Sequence, residues 1–195
     1  MSNSGVFDVN DIRYLMDYQQ WSGVGTLELI QTQVGSSVSA LDFLNIKENI
    51  YDVHFMTVND FTPSVDATPL SCRFYESGVE ESAAVYQYAL QFGSPGGVGF
   101  NEENSSGIAQ IYLCASTGNG TNEVGNSYNY FYNLGDSTKY SFHTNQSTAT
   151  RPAADYIFTF GSAILPQAST VDGIKCFVTS GTFSADISLY GIRYS

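Results

Sequence analysis

Positive charge is scarce in this chain: seven Lys and Arg stand against 19 Asp and Glu among 195 residues, a formal charge of −12. So few scattered cations cannot neutralise a run of phosphates, which excludes electrostatically driven binding to nucleic acid or to an anionic membrane. A basic partner surface stays open, beside the plainer reading that acidity serves solubility. Cysteine is sparse too. Cys72, Cys114 and Cys176 lie far apart, odd in number and without a CxxC pair, which excludes a zinc cage and a disulfide framework. Each sits among apolar neighbours, as in Leu70-Ser71-Cys72-Arg73-Phe74 and Ile174-Lys175-Cys176-Phe177, so buried reduced thiols and assembly inside a cell are expected. No stretch approaches the roughly 18 apolar residues that cross a bilayer as a helix, so membrane insertion is not expected. Met1-Ser2-Asn3-Ser4-Gly5 has neither the basic region nor the apolar run of a secretion signal.

What the chain does have is apolar and aromatic bulk. Hydrophobic residues make up 43%, with fourteen Tyr, thirteen Phe, a single Trp and 18 Gly. Charged residues at 13% are about half the usual globular share, so the chain is neither a disordered acidic tail nor a long solvated helix. Aromatic residues favour pleated strands, and Gly, Ser and Asn favour the tight turns between them. The expectation is an all-β protein of one domain with an arm.

Residues 1–24 are the exception, because here the apolar spacing becomes helical: Val9, Ile12, Leu15 and Met16 form one stripe. Asp8 is placed to cap such a helix and Asp11 adds negative charge to its first turn. A helix of about eleven residues is marginal alone and needs a surface to dock on. Ile12, Leu15, Met16 and Trp21 therefore pack either on their own domain or on another subunit, with Trp21-Ser22-Gly23-Val24-Gly25 as a pivot.

Residues 25–195 read as a single jelly-roll-like antiparallel β-sandwich, a succession of short alternating runs separated by turn signals. Strands are expected at 26–33, 37–44, 50–58, 69–75, 84–92, 108–115, 127–133, 139–143, 155–161, 173–179 and 183–194. In the last, Phe183, Ala185, Ile187, Leu189 and Gly191 face one way and Ser184, Asp186, Ser188 and Tyr190 the other. In the third, both faces are partly apolar, which places it centrally in its sheet. Two long connections, 93–107 and 116–126, are where partner contacts are expected.

Catalytic chemistry finds little support. His54 sits mid-strand between Val53 and Phe55, as a structural imidazole would, and His143 has no nucleophile elbow near it. Glu80-Glu81 and Glu102-Glu103 point to opposite faces in extended chain, as solvated charge does. The carboxylates between Asn59 and Asp66 lack the ligand alternation of an EF-hand loop, and the glycines at 93–99 lack a phosphate-loop ending. No metal and no cofactor are expected. The stretch Tyr128-Asn129-Tyr130-Phe131-Tyr132-Asn133 puts three tyrosines on one face, suited to sugar rings, to a protein interface or to a core.

Three segments carry a resemblance. Leu27-Glu28-Leu29-Ile30-Gln31-Thr32-Gln33 leads into Ser36-Ser37-Val38-Ser39-Ala40-Leu41-Asp42-Phe43; Tyr51-Asp52-Val53-His54-Phe55 leads into Asp60-Phe61-Thr62-Pro63-Ser64-Val65-Asp66; and the end reads Gly181-Thr182-Phe183-Ser184-Ala185-Asp186-Ile187-Ser188-Leu189-Tyr190-Gly191-Ile192. The pattern resembles a β-sandwich module of tailed-bacteriophage virion proteins, of the tail-fibre or decoration type, notably from phages of aquatic and marine bacteria. It spans residues 27–192 and carries no catalytic signature to transfer. The resemblance implies a non-enzymatic virion structural protein on the tail or head surface. It would be assembled in the host cytoplasm and held to other virion proteins through its N-terminal arm. A symmetric homo-oligomer is expected, released by lysis. The alternative is a glycan- or receptor-binding module contacting the host surface through Tyr128, Tyr130, Tyr132 and Phe100.

Overall fold

The computed structural model describes residues 27–95, 97, 99–152 and 155–192. The expected arm, with Ile12, Leu15, Met16 and Trp21, lies outside the described residues. Within them every regular element is a strand: β1 (Leu27–Val38), β2 (Ala40–Leu44), β3 (Val53–Pro63), β4 (Thr68–Glu76), β5 (Val79–Glu80), β6 (Tyr86–Gly93), β7 (Asn101–Ile108), β8 (Ile111–Thr117), β9 (Gly125–Tyr132), β10 (Tyr140–Arg151), β11 (Asp155–Ala168), β12 (Val171–Phe177) and β13 (Phe183–Ile192). All pair antiparallel in two sheets that form a β-sandwich. The larger runs β1-β13-β3-β9-β10-β11-β6-β7, and the smaller β2-β12-β4-β5, with β8 also on β4.

Connectivity explains the inequality of the layers. The chain alternates between them through β1, β2, β3 and β4, and again through β8, β9, β12 and β13. Two hairpins, β6–β7 and β10–β11, are added to this frame, and both join the larger sheet beyond β9. The larger sheet therefore extends past the edge of the smaller one.

Alternation along the strands builds the core. Phe183, Ala185, Ile187 and Leu189 of β13 point inward as their spacing predicts, and meet Met56, Val58 and Phe61 of β3 and Phe74 and Cys176 of the facing sheet. β3 lies between β13 and β9, the central place its two apolar faces predict. Tyr51 lies flat on Gly191, where a Cβ would sit 2.3 Å from the ring, and its hydroxyl donates to Glu28 at 2.6 Å.

Four elements depart most from the sequence expectation. The predicted break before 37–44 is a bulge, through which β1 continues to Val38 with Ser37 in the left-handed region at φ 54°. Predicted strands 139–143 and 155–161 extend to Arg151 and Ala168, because the polar run Thr144-Asn145-Gln146-Ser147-Thr148 is held by side-chain hydrogen bonds that an apolar pattern does not register. Residues 101–107 of the expected loop 93–107 belong to β7, whose polar sequence Asn101-Glu102-Glu103-Asn104 pairs with β6 as an exposed edge strand.

Gly191→Ala drives a methyl into the Tyr51 ring and is expected to cost about 1–3 kcal/mol, read as a lower denaturant midpoint with unchanged slope.

Candidate functional site

Two surfaces of the larger sheet stand out, one on each side. On the outward side, register places Leu29 opposite Tyr190, Tyr190 opposite Phe55, and Phe55 opposite Tyr130. Tyr128, Tyr130 and Tyr132 follow one another on β9 with ring centroids 6.3 and 6.4 Å apart. Tyr156, Phe158 and Phe160 repeat the arrangement on β11 at 6.5 Å, nearly parallel. Phe100 sets its ring edgewise on Phe158 and Phe160 at 5.8 and 6.1 Å. Between the two ladders β10 contributes Phe142, Thr144, Gln146 and Thr148, and Tyr128 donates a hydrogen bond to Gln146.

The four predicted contact residues thus share one face, with Phe100 on the β11 ladder and the three tyrosines on the β9 ladder. Sequence reading missed Tyr156, Phe158 and Phe160, although the alternation Tyr156-Ile157-Phe158-Thr159-Phe160 carries the same signal as the tyrosine row. Tyr128, Phe142, Tyr156 and Phe160 are each 41–43% exposed and Phe100 62%. From Val53 to Thr57 of β3, and along β9, β10 and β11, the outward positions carry no charge.

On the inward side lies a cleft of about 200 Å³, where the overhanging β10, β11, β6 and β7 meet the free edge of β8. That edge is closed by side chains rather than by a further strand. Ser147 Oγ accepts the Ala115 N–H at 3.0 Å and lies 2.6 Å from Thr159 Oγ1, while the Asn145 amide donates to the Tyr112 carbonyl at 3.3 Å. Leu90, Phe92 and Ile157 form an apolar floor, and Glu103, Tyr112 and Arg151 stand round it. The Tyr88 hydroxyl donates to Glu103 at 2.7 Å, and the Tyr88 and Tyr112 rings meet edge to face at 5.2 Å. Partial burial and the neighbouring carboxylate hold the Tyr88 phenol well above its ordinary pKa.

Neither histidine reaches either surface. His54 bonds the Ile46 carbonyl at 2.8 Å and His143 the Asn129 amide oxygen at 2.9 Å, both inside the sandwich. Burial lowers the pKa of both, that of His143 to about 3, and in His54 the Ile46 carbonyl and Glu48 oppose the shift. The thiols are buried and unpaired, with Cys114 pushed up to about 12 by desolvation, far from the thiolate a nucleophile needs. Among the described residues no three His, Cys, Asp or Glu side chains gather to hold a metal ion. Arg73, Lys139, Arg151 and Lys175 are all in ion pairs, Glu80 joining Arg73 and Lys175 at 2.6 Å each.

Comparison of the chain with family models, with curated proteins and with solved structures yields no match.

His143 is neutral in the folded chain and takes a proton only on unfolding. Its contribution is complete above about pH 6.5 and is lost as pH falls from there towards 3, at up to ~1.4 kcal/mol per pH unit. The stability of His143→Gln is expected to fall less steeply over that window, measured as urea midpoints against pH.

Proposed function

We propose that the protein is a non-enzymatic virion structural protein, a β-sandwich module displayed on the tail or head surface of a tailed phage. The strand order supports a jelly roll: β1-β13-β3-β9 faces β2-β12-β4-β8, and consecutive frame strands change layer at every connection except that from β4 to β8, which pair with each other. Residues 27–192, which carry the likeness to such modules, are the same residues that form the sandwich.

The observation that carries the reading is the outward aromatic face. Six of its side chains, Leu29, Phe100, Tyr128, Phe142, Tyr156 and Phe160, are 41–62% exposed. Together they present on the order of 600 Å² of apolar surface, as large as the largest patch of an ordinary monomer and close to the ~800 Å² per partner of a stable interface. A chain of formal charge −12 repels its own copies elsewhere, whereas the β9, β10 and β11 part of this face brings no charge into contact. The face is therefore the assembly surface of a homo-oligomer. Residues 1–24 act as the anchor to other virion proteins: burying Val9, Ile12, Leu15 and Met16 contributes roughly 6–12 kcal/mol before ordering costs. Assembly in the host cytoplasm agrees with three free, buried thiols.

Light scattering is expected to report more than one chain per particle, and Thr144→Glu with Ser162→Glu, which put like charges on the face, to give folded monomers. A monomeric unmodified protein ends the assembly reading. Deletion of residues 1–20 is expected to abolish incorporation into particles; normal incorporation removes the anchor.

The second reading, a glycan- or receptor-binding module, draws on the same face, because Tyr128, Tyr130, Tyr132 and Phe100 lie together on it. The assembly reading is preferred for the size of the face and because, among the described residues, its β9, β10 and β11 part holds no charged group that would orient a ligand.

A further inference from the structure

We propose that the inward cleft between the free edge of β8 and the overhanging β10, β11, β6 and β7 binds a single neutral pyranose unit. This site is separate from the assembly face, on the other side of the larger sheet.

The space decides the size of the ligand. About 200 Å³ equals about seven waters at ~30 Å³ each, below the roughly 300–1,000 Å³ of pockets for drug-sized ligands. It suits one six-membered ring with its substituents and excludes a nucleotide or a folded peptide.

The lining decides its chemistry. Leu90, Phe92 and Ile157 offer an apolar surface to the C–H face of a sugar ring. Polar groups stand at the rim, where ring hydroxyls point. The Glu103 carboxylate is fixed by the Tyr88 hydroxyl at 2.7 Å and has acceptor capacity for further hydroxyls. Asn145, whose amide nitrogen is engaged with the Tyr112 carbonyl at 3.3 Å, keeps its oxygen as an acceptor. Arg151 supplies guanidinium donors and already has Asp155 as its counter-ion.

Charge narrows the class further. With Arg151 neutralised by Asp155, the remaining charge in the lining is Glu103, so an anionic sugar or a phosphate is repelled and a neutral polyol is not. All of these residues belong to paired strands, so binding orders little that is not already ordered.

The test is a titration of the full chain with the methyl pyranosides of glucose, galactose, mannose and N-acetylglucosamine, and with leucine as a zwitterion control. It is read by two-dimensional NMR of backbone and Asn145 side-chain amides. At least one glycoside is expected to give saturable shifts in the millimolar range, confined to Asn145 and the amides of β6, β7 and β8. Glu103→Gln and Ser116→Phe, the second of which narrows the mouth, are each expected to weaken that binding at least tenfold with an unchanged melting temperature. The proposal is overturned by silence with all four glycosides, by shifts on the tyrosine face instead, by binding that survives both substitutions, or by leucine binding better than any sugar. Assembly is read separately by light scattering, so either idea can fail without the other.

Discussion

The structure depends on how a sandwich with unequal layers closes its open side. Eight strands face five, so the edge of β8 comes to rest against the larger sheet with no further strand to receive its backbone. Buried peptide groups without partners cost about as much as a lost hydrogen bond each. Here β10 supplies the partners from its side chains: Ser147 takes one N–H and Asn145 reaches one carbonyl. The polar stretch in the middle of β10 is thus what allows the larger sheet to overhang, and the cleft is the space this arrangement leaves.

The same economy of polar groups runs through the interior. Each buried imidazole has one oxygen to hold it, from Ile46 or Asn129, and the Asn129 amide continues to Ser127 at 3.0 Å. On the outer side of the smaller sheet, Glu80 gathers Arg73 and Lys175, and the Arg73 guanidinium lies 4.6 Å above the Phe177 ring. Arg73 and Lys175 are used to fasten strands together, and the β9, β10 and β11 part of the aromatic face is left without charge.

Much of this was legible in the sequence. Period-two alternation located β13 and its inward residues, and identified β3 as central, because burial against a core imposes that period. It failed where polar atoms rather than methyl groups hold a strand. Asn145 and Ser147 look like loop residues until the strand they seal is in view, and Glu102-Glu103 looks like solvated charge until β6 is placed beside it. The tyrosine row was visible as a row. That Phe100 would join the β11 ladder depends on a fold that brings residues 58 and 60 positions apart into ring contact, which no local pattern encodes. Glu103 on β7 and Asn145 and Arg151 on β10 line one cleft for the same reason, brought there by two different hairpins.

The first and last strands lie side by side, with Leu27 directly across from Ile192. The two ends of the body therefore leave at one corner, and a load applied between them opens the β1–β13 ladder like a zip, one rung after another. A load carried from the first strand alone to the opposite end of the sheet stretches the rungs together in shear. The module is mechanically weak when pulled by both ends and strong when hung from one.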